Sequence, residues 1–237
     1  MSRGWNAALT LALTSGLAAC TGATSTSGGQ PTPTITPTTA ATTPAGEQIQ
    51  GLARLGLGAS YRAGYVARQD KRPHRADWQV ARTPSALRID VVTGGRTATL
   101  IVGPSGAFSC ARAGKRRACF RVAKPGRPVP PPFDHAPQAL FAADLTSLAQ
   151  HAGAYVIRPA TTAEGGGRSG DSCFRVRATA TAPKPRVPTG IYCFAGAGVL
   201  TAIRFPTGST VRLINVRMSR PGPTTFRPYS SPTPLPG

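Results

Sequence analysis

Acidic residues are scarce in this chain. Eight Asp and Glu stand against 28 Lys and Arg, a formal net charge of +20. Paired carboxylates for glycoside hydrolysis need Asp or Glu on strands, and Asp90 is the only clear one there. Histidine is nearly absent, with three in 237 residues. His135 follows Asp134 in a proline-rich stretch and His151 ends a helical pattern, so spacing partners neither with a second acid. No Cys-x-x-Cys occurs and no His adjoins a cysteine, which argues against a metal or dithiol redox site. No apolar run reaches the roughly 20 residues of a spanning helix. No basic run exceeds Lys115-Arg116-Arg117, and no recognition helix is evident. These absences point to a non-enzymatic chain with no cofactor, no metal and no nucleic acid partner.

What is present begins with Leu17-Ala18-Ala19-Cys20. Arg3 supplies a positive n-region, and Ala7 to Leu17 forms a short apolar h-region carrying Leu9, Leu11 and Leu13. The segment resembles the lipobox of bacterial lipoproteins. The resemblance implies that residues 1–19 are a signal peptide and that Cys20 becomes the lipidated first mature residue. The acylated cysteine would anchor the chain in the cell membrane on its extracytoplasmic face.

Residues 20–48 form a Thr/Ser/Pro/Gly-rich tether, including Pro31-Thr32-Pro33-Thr34, with almost nothing apolar to bury. Extended, it reaches roughly 90 Å at about 3.1 Å per residue. Residues 49–218 then make a domain of about 170 residues, enough for one core, and nothing points beyond a monomer. Residues 219–237 are Pro-rich with no apolar period and read as a disordered tail.

Inside the domain, Ile49, Leu52 and Ala53 fall at helical spacing in a short opening helix over 47–57, blunted by Gly51, Gly56 and Gly58. The period then changes to two. Tyr61, Ala63 and Tyr65 share a face, as do Trp78 and Val80, and Leu87, Ile89 and Val91 opposite Arg88 and Asp90. Gly94-Gly95, Gly103 to Gly106, Gly196 to Gly198 and Pro206 to Gly208 signal hairpin turns. The prolines of 124–138 forbid a regular element there, and Phe133 anchors that loop. Phe141, Leu145 and Leu148 mark a second helix over 141–150. The pattern predicts an α+β, mainly antiparallel β fold: a curled, half-barrel-like sheet of about eleven strands with two short helices.

That order of elements, with segments such as Leu87-Arg88-Ile89-Asp90-Val91 and Gly198-Val199-Leu200-Thr201-Ala202-Ile203, resembles the LolA/LolB and LppX/LprG superfamily over residues 47–218. The resemblance implies a half-barrel that holds acyl chains.

Four cysteines remain beside Cys20: Cys110, Cys119, Cys173 and Cys193. An even number in an exported domain implies two disulfides among three pairings, and proximity favours Cys110–Cys119 and Cys173–Cys193. Cys119-Phe120-Arg121-Val122 recurs as Cys173-Phe174-Arg175-Val176, so each half carries one cross-linked strand pair.

Two motifs invite catalytic readings. Gly170-Asp171-Ser172 resembles the nucleophile segment of trypsin-like proteases, with His74 upstream. Cys173-Phe174 follows where that family has Gly-Gly, and no oxyanion-hole segment follows. The run Gly165 to Gly170 lacks the Gly-Lys-Ser/Thr ending of a phosphate-binding loop and reads as a flexible hairpin tip.

The expected function is therefore that of a lipid-anchored envelope protein binding a lipid, amphiphile or lipoprotein in the sheet's concavity. Tyr61, Tyr65, Trp78, Leu87, Ile89, Val91, Val199, Ile203 and Phe205 would line it, with Arg88 and Arg204 at a basic rim. The alternative is a structural or sensory module that contacts wall polymer or a partner protein. Its signature is a filled core and a basic outer face that attracts anionic lipid or wall polymer.

Overall fold

A computed structural model describes residues 43–70, 72–130, 133 and 140–234, with the side chains of 72–74 left out. The leader, Cys20 and nearly all of the tether lie outside the described residues.

Helix α1 (Pro44–Gly58) starts three residues earlier than the apolar period suggests, because Thr43 caps it. The Thr43 hydroxyl accepts from the Gly46 N–H at 3.1 Å, and Pro44 fills the first turn where no N–H is needed. The glycines do not blunt the helix. Gly56 instead lets it touch the chain at Gly198, where a Cβ on Gly56 would stand 2.3 Å from the Gly198 carbonyl oxygen. Gly198 takes φ +76° in the turn that meets it, a conformation costly for any other residue.

Two antiparallel meanders follow. The first is β1 (Tyr61–Gln69), β2 (Arg72–Thr83), β3 (Ala86–Thr93), β4 (Arg96–Gly103), β5 (Gly106–Ala113) and β6 (Arg116–Ala123). Gly94-Gly95 turns β3 into β4 with both φ positive, as a two-residue hairpin requires. Gly114-Lys115 makes a connection of the same length between β5 and β6, so Arg116 and Arg117 of the basic run belong to β6. Helix α2 (Ala143–His151) then leads into the second meander: β7 (Tyr155–Ala160), β8 (Ser172–Ala178), β9 (Gly190–Phe194), β10 (Leu200–Arg204) and β11 (Thr210–Arg217). A one-turn helix, α3 (Thr162–Gly165), sits in the β7–β8 connection.

The two meanders join where β1 pairs with β11. A short last strand, β12 (Thr233–Pro234), pairs in parallel with β6. The result is one curled, unclosed sheet of twelve strands ordered β12-β6-β5-β4-β3-β2-β1-β11-β10-β9-β8-β7. The twelfth strand is a correction to the tail: residues 219–234 are not without structure. Besides the β12–β6 pairing, Arg88 Nη1 donates to the Thr225 carbonyl at 3.0 Å, and Arg62 Nη2 to the Thr225 hydroxyl at 2.8 Å. Polar contacts hold this segment, which is why a reading by apolar period passes over it.

The sheet's inner face is one continuous core. Ile49 and Ala53 of α1 and Leu145, Leu148 and Ala149 of α2 pack onto inward residues of both meanders. A satellite cluster of Leu100, Ala107, Val122 and Ala123 is closed by Val129 and Phe133 from the proline-rich loop. Residues 131–132 and 134–139 of that loop lie outside the described residues.

Candidate functional site

Seven of the nine residues expected to line a ligand concavity are buried in the core: Tyr61, Tyr65, Trp78, Leu87, Ile89, Val199 and Ile203. Val91 and Phe205 are half-buried against it. Residues of α1 and α2 pack over that inner face. Polar groups lock the arrangement. The Tyr65 hydroxyl donates to the Leu200 carbonyl at 2.9 Å, and burial pushes its pKa well up. Tyr61 is pushed up to about 12 by burial, partly opposed by Arg82.

Arg82, which sequence reasoning passes over, lies opposite Tyr61 across β1–β2 and so points inward. Its guanidinium donates to the Phe141 carbonyl and, at 3.3 Å, to the Leu57 carbonyl in the last turn of α1. A cation at a helix C-terminus meets the negative end of the dipole. Burial lowers the Arg82 pKa, partly opposed by Tyr61. The one residue thus ties β2 to the end of α1 and to the approach to α2. Its only sequence signal is a charge in an inward register.

Among the described residues, the acidic and serine candidates are engaged in structural contacts. Asp171 accepts from the Arg168 N–H at 2.6 Å and the Thr201 hydroxyl at 2.6 Å, which ties a turn to β10. Ser172 Oγ meets Gln48 Nε2 at 3.4 Å. Asp90 is held by Arg88 at 2.9 Å. His151 is exposed at the end of α2. Asp134 and His135 lie outside the described residues, as does the His74 side chain. Among the described residues, no group of three His, Cys, Asp or Glu is arranged to hold a metal ion.

The cysteines join as Cys110–Cys119 and Cys173–Cys193, each directly across an antiparallel pair. Both bridges lie on the outer face. The Gly165 to Gly167 run is no free hairpin tip: it packs on the second bridge. A Cβ on Gly165 would stand 2.3 Å from Cys193 Sγ, and one on Gly167 would stand 2.9 Å from it. Gly166 takes φ +71° where α3 ends.

The outer face divides into two halves. On β3–β5, Thr99, Ile101 and Phe108 point outward and are buried on the side where the C-terminal segment lies. Tyr229 of that segment lies beside Thr99, and burial raises its pKa. Arg88, expected at a ligand rim, is engaged on this face by Asp90 and Thr225.

The other half carries arginines. Strand register sets Arg75 opposite Arg68, Arg68 opposite Thr210, and Thr210 opposite Arg204. It continues through Ile191 to Arg175 and Arg158. Five arginines thus stand in one row across seven strands, spanning roughly 29 Å at about 4.8 Å per strand. All five are exposed. Two depressions lie along the row on either side of α3. The larger, about 560 Å³, is lined by Arg158, Arg175, Arg177, Arg204, Glu164 and Phe205 among others. The smaller, about 390 Å³, takes in Arg68, Arg75, Arg204 and Arg212. Arg204 borders both.

Little negative charge offsets this row. Asp77 pairs with Arg75 at 3.0 Å, and Glu164 with Arg175 at 2.8 Å. The Thr161 N–H and hydroxyl hold Glu164 below the usual carboxylate range, with Arg175 adding to the effect. The side chains of Arg68 and Arg158 make no hydrogen bond or ion pair among the described residues.

No protein-family model matches the chain, and no curated protein matches it in sequence. Among solved structures, an uncharacterised conserved protein from Thermus thermophilus aligns at 8% identity and a TM-score of 0.45, over 78% of this chain and 93% of that one. MucB aligns at 13% identity and 0.44, over 77% and 62%. The Pseudomonas aeruginosa MucA/MucB complex aligns at 12% and 0.46, over 78% and 61%. At that level the likeness assigns neither a family nor a partner.

Proposed function

We propose that this chain is a non-enzymatic envelope lipoprotein, anchored through Cys20 at the extracytoplasmic face of the cell membrane, whose domain is a contact module. The observation that carries the reading is the pairing of a filled core with an arginine-lined outer face. A carrier of acyl chains needs apolar space inside the sheet. Here α1 and α2 occupy that space, and the depressions of the second meander open on the opposite face, among guanidinium groups.

The lipobox and the Pro/Thr-rich segment complete the design. The anchor fixes the address, and the tether holds the domain off the membrane with freedom to swivel. Two cross-strand disulfides suit an oxidising compartment.

The test is native mass spectrometry on the full chain carrying Cys20→Ser, exported in an oxidising host, followed by organic extraction. The contact-module reading expects a mass with both disulfides formed and no acyl lipid in the extract. A stoichiometric acyl lipid overturns it in favour of a carrier.

A further inference from the structure

We infer that the row Arg75–Arg68–Arg204–Arg175–Arg158 is a track for a linear phosphodiester polymer of the cell wall, laid across the strands of the outer face. The inference rests on the contact-module reading and gives it a partner and a site.

The row works against the fold that carries it. Arg68 faces Arg75, and Arg158 faces Arg175, as directly opposed cross-strand pairs. Like charges so placed repel and weaken a sheet. Only two acids answer the five arginines, leaving Arg68, Arg158 and Arg204 without an ion pair among the described residues. A ligand that brings one negative charge per repeat relieves this repulsion. Guanidinium forks match phosphate oxygens in two-point hydrogen bonds, which ammonium groups do not.

The geometry favours a chain over a flat surface. The arginines succeed one another at one or two strand spacings, roughly 5 to 10 Å, along the hydrogen-bonding direction of the sheet. That is the direction in which the sheet curls. A bilayer meets such a face along a limited strip, whereas a flexible polymer follows it. The depressions beside α3 take the polymer's uncharged groups, and Arg204 bridges them. Glu164 stands in the larger depression as the opposing charge that keeps binding reversible.

The experiment is fluorescence anisotropy with labelled linear poly(glycerol phosphate) and the full chain carrying Cys20→Ser, across a salt series. Replacing Arg68, Arg158 and Arg204 together by Gln is expected to weaken binding roughly tenfold or more and to flatten the log–log salt slope by about 2. The control removes equal charge from the first meander, at Arg96, Arg116 and Arg117, and is expected to stay within about threefold of the parent. Glu164→Gln keeps the helix cap and is expected to tighten binding by about two- to fivefold. Retained thermal unfolding transitions establish that the variants fold.

Equal losses in the row and control variants would overturn the track, since bulk charge would then explain binding. So would no binding of the parent at low salt. Phosphatidylglycerol vesicles run in parallel: binding to vesicles but not to the polymer overturns the polymer in favour of a membrane surface. Failure of the polymer with lipid-free protein removes the track alone, whereas extracted lipid removes the underlying reading.

Discussion

Gly165 lies directly on Cys193, so close that a Cβ on the glycine would stand 2.3 Å from the sulfur. The contact presses α3 and its loop onto the Cys173–Cys193 bridge, and so sets the wall between the two arginine-lined depressions. The bridge thus does more than cross-link two strands: it forms the floor on which the loop rests.

Gly165→Ala is therefore expected to destabilise the fold by about 1–3 kcal/mol, the usual cost of overpacking a filled site. Denaturant unfolding measures it. In a background with Cys173→Ala and Cys193→Ala the sulfur is gone and the penalty should shrink, leaving the milder contact with Ile191 Cγ2 at 2.9 Å. An unchanged penalty there would place the clash on Ile191 rather than on the bridge.

Arg82 offers a second handle. Its guanidinium serves the buried carbonyl of Phe141 and the part-buried carbonyl of Leu57. Arg82→Met keeps the stem and removes the donors. A loss of about 2–4 kcal/mol is expected, from carbonyls left unpaired. Hydrogen exchange should show the last turn of α1 opening first. Uniform exchange across α1 and the sheet would contradict the proposed tie.

The tail gives a third. Ending the chain after Met218 uncovers the outward side of β3–β5, where Ile101 and Phe108 are buried. Roughly 2–5 kcal/mol should be lost from exposing two such side chains. A dye that binds apolar surface should report the change. Full stability in the truncated chain would mean that the C-terminal segment merely lies alongside.

Alkaline pH supplies a fourth. Tyr61 has a folded pKa of about 12 against an ordinary value of 10.0, and burial also raises Tyr65 and Tyr192. A raised pKa means that the unfolded chain releases its proton first. The stability is fully present below pH 10 and is lost as pH climbs toward the folded values. For each such tyrosine the loss approaches about 1.4 kcal/mol per pH unit. Tyr61→Phe should reduce the slope of unfolding free energy between pH 10 and about 12. Identical slopes would show that Tyr61 titrates alike in both states.

Much of this fold can be read from the chain. Alternation in Tyr61–Tyr65 and Leu87–Val91 marks inward faces, and glycine pairs mark the hairpins. The repeated Cys-Phe-Arg-Val falls on two strands, each bridged to its hairpin partner, with its Phe and Arg on opposite faces. What escapes is whatever depends on which strands become neighbours. Arg68, Arg158 and Arg204 are far apart in sequence and meet only through register. The tail escapes because it carries no apolar period of its own. The inner face reads as open in the sequence because two helices look too few for eleven strands. In the fold the proline loop covers part of that inner face, and the tail and the α3 loop clad the outer one.

The central claim is that this protein works through its outer arginines and not through its inner face. Arginine-specific labelling with phenylglyoxal tests this most directly, comparing the full chain on intact cells with the same chain purified in detergent. The account predicts that Arg68, Arg158 and Arg204 react more slowly on cells, while Arg96, Arg116 and Arg117 react equally in both settings. Equal reactivity of all six would contradict it, as would protection confined to the first meander.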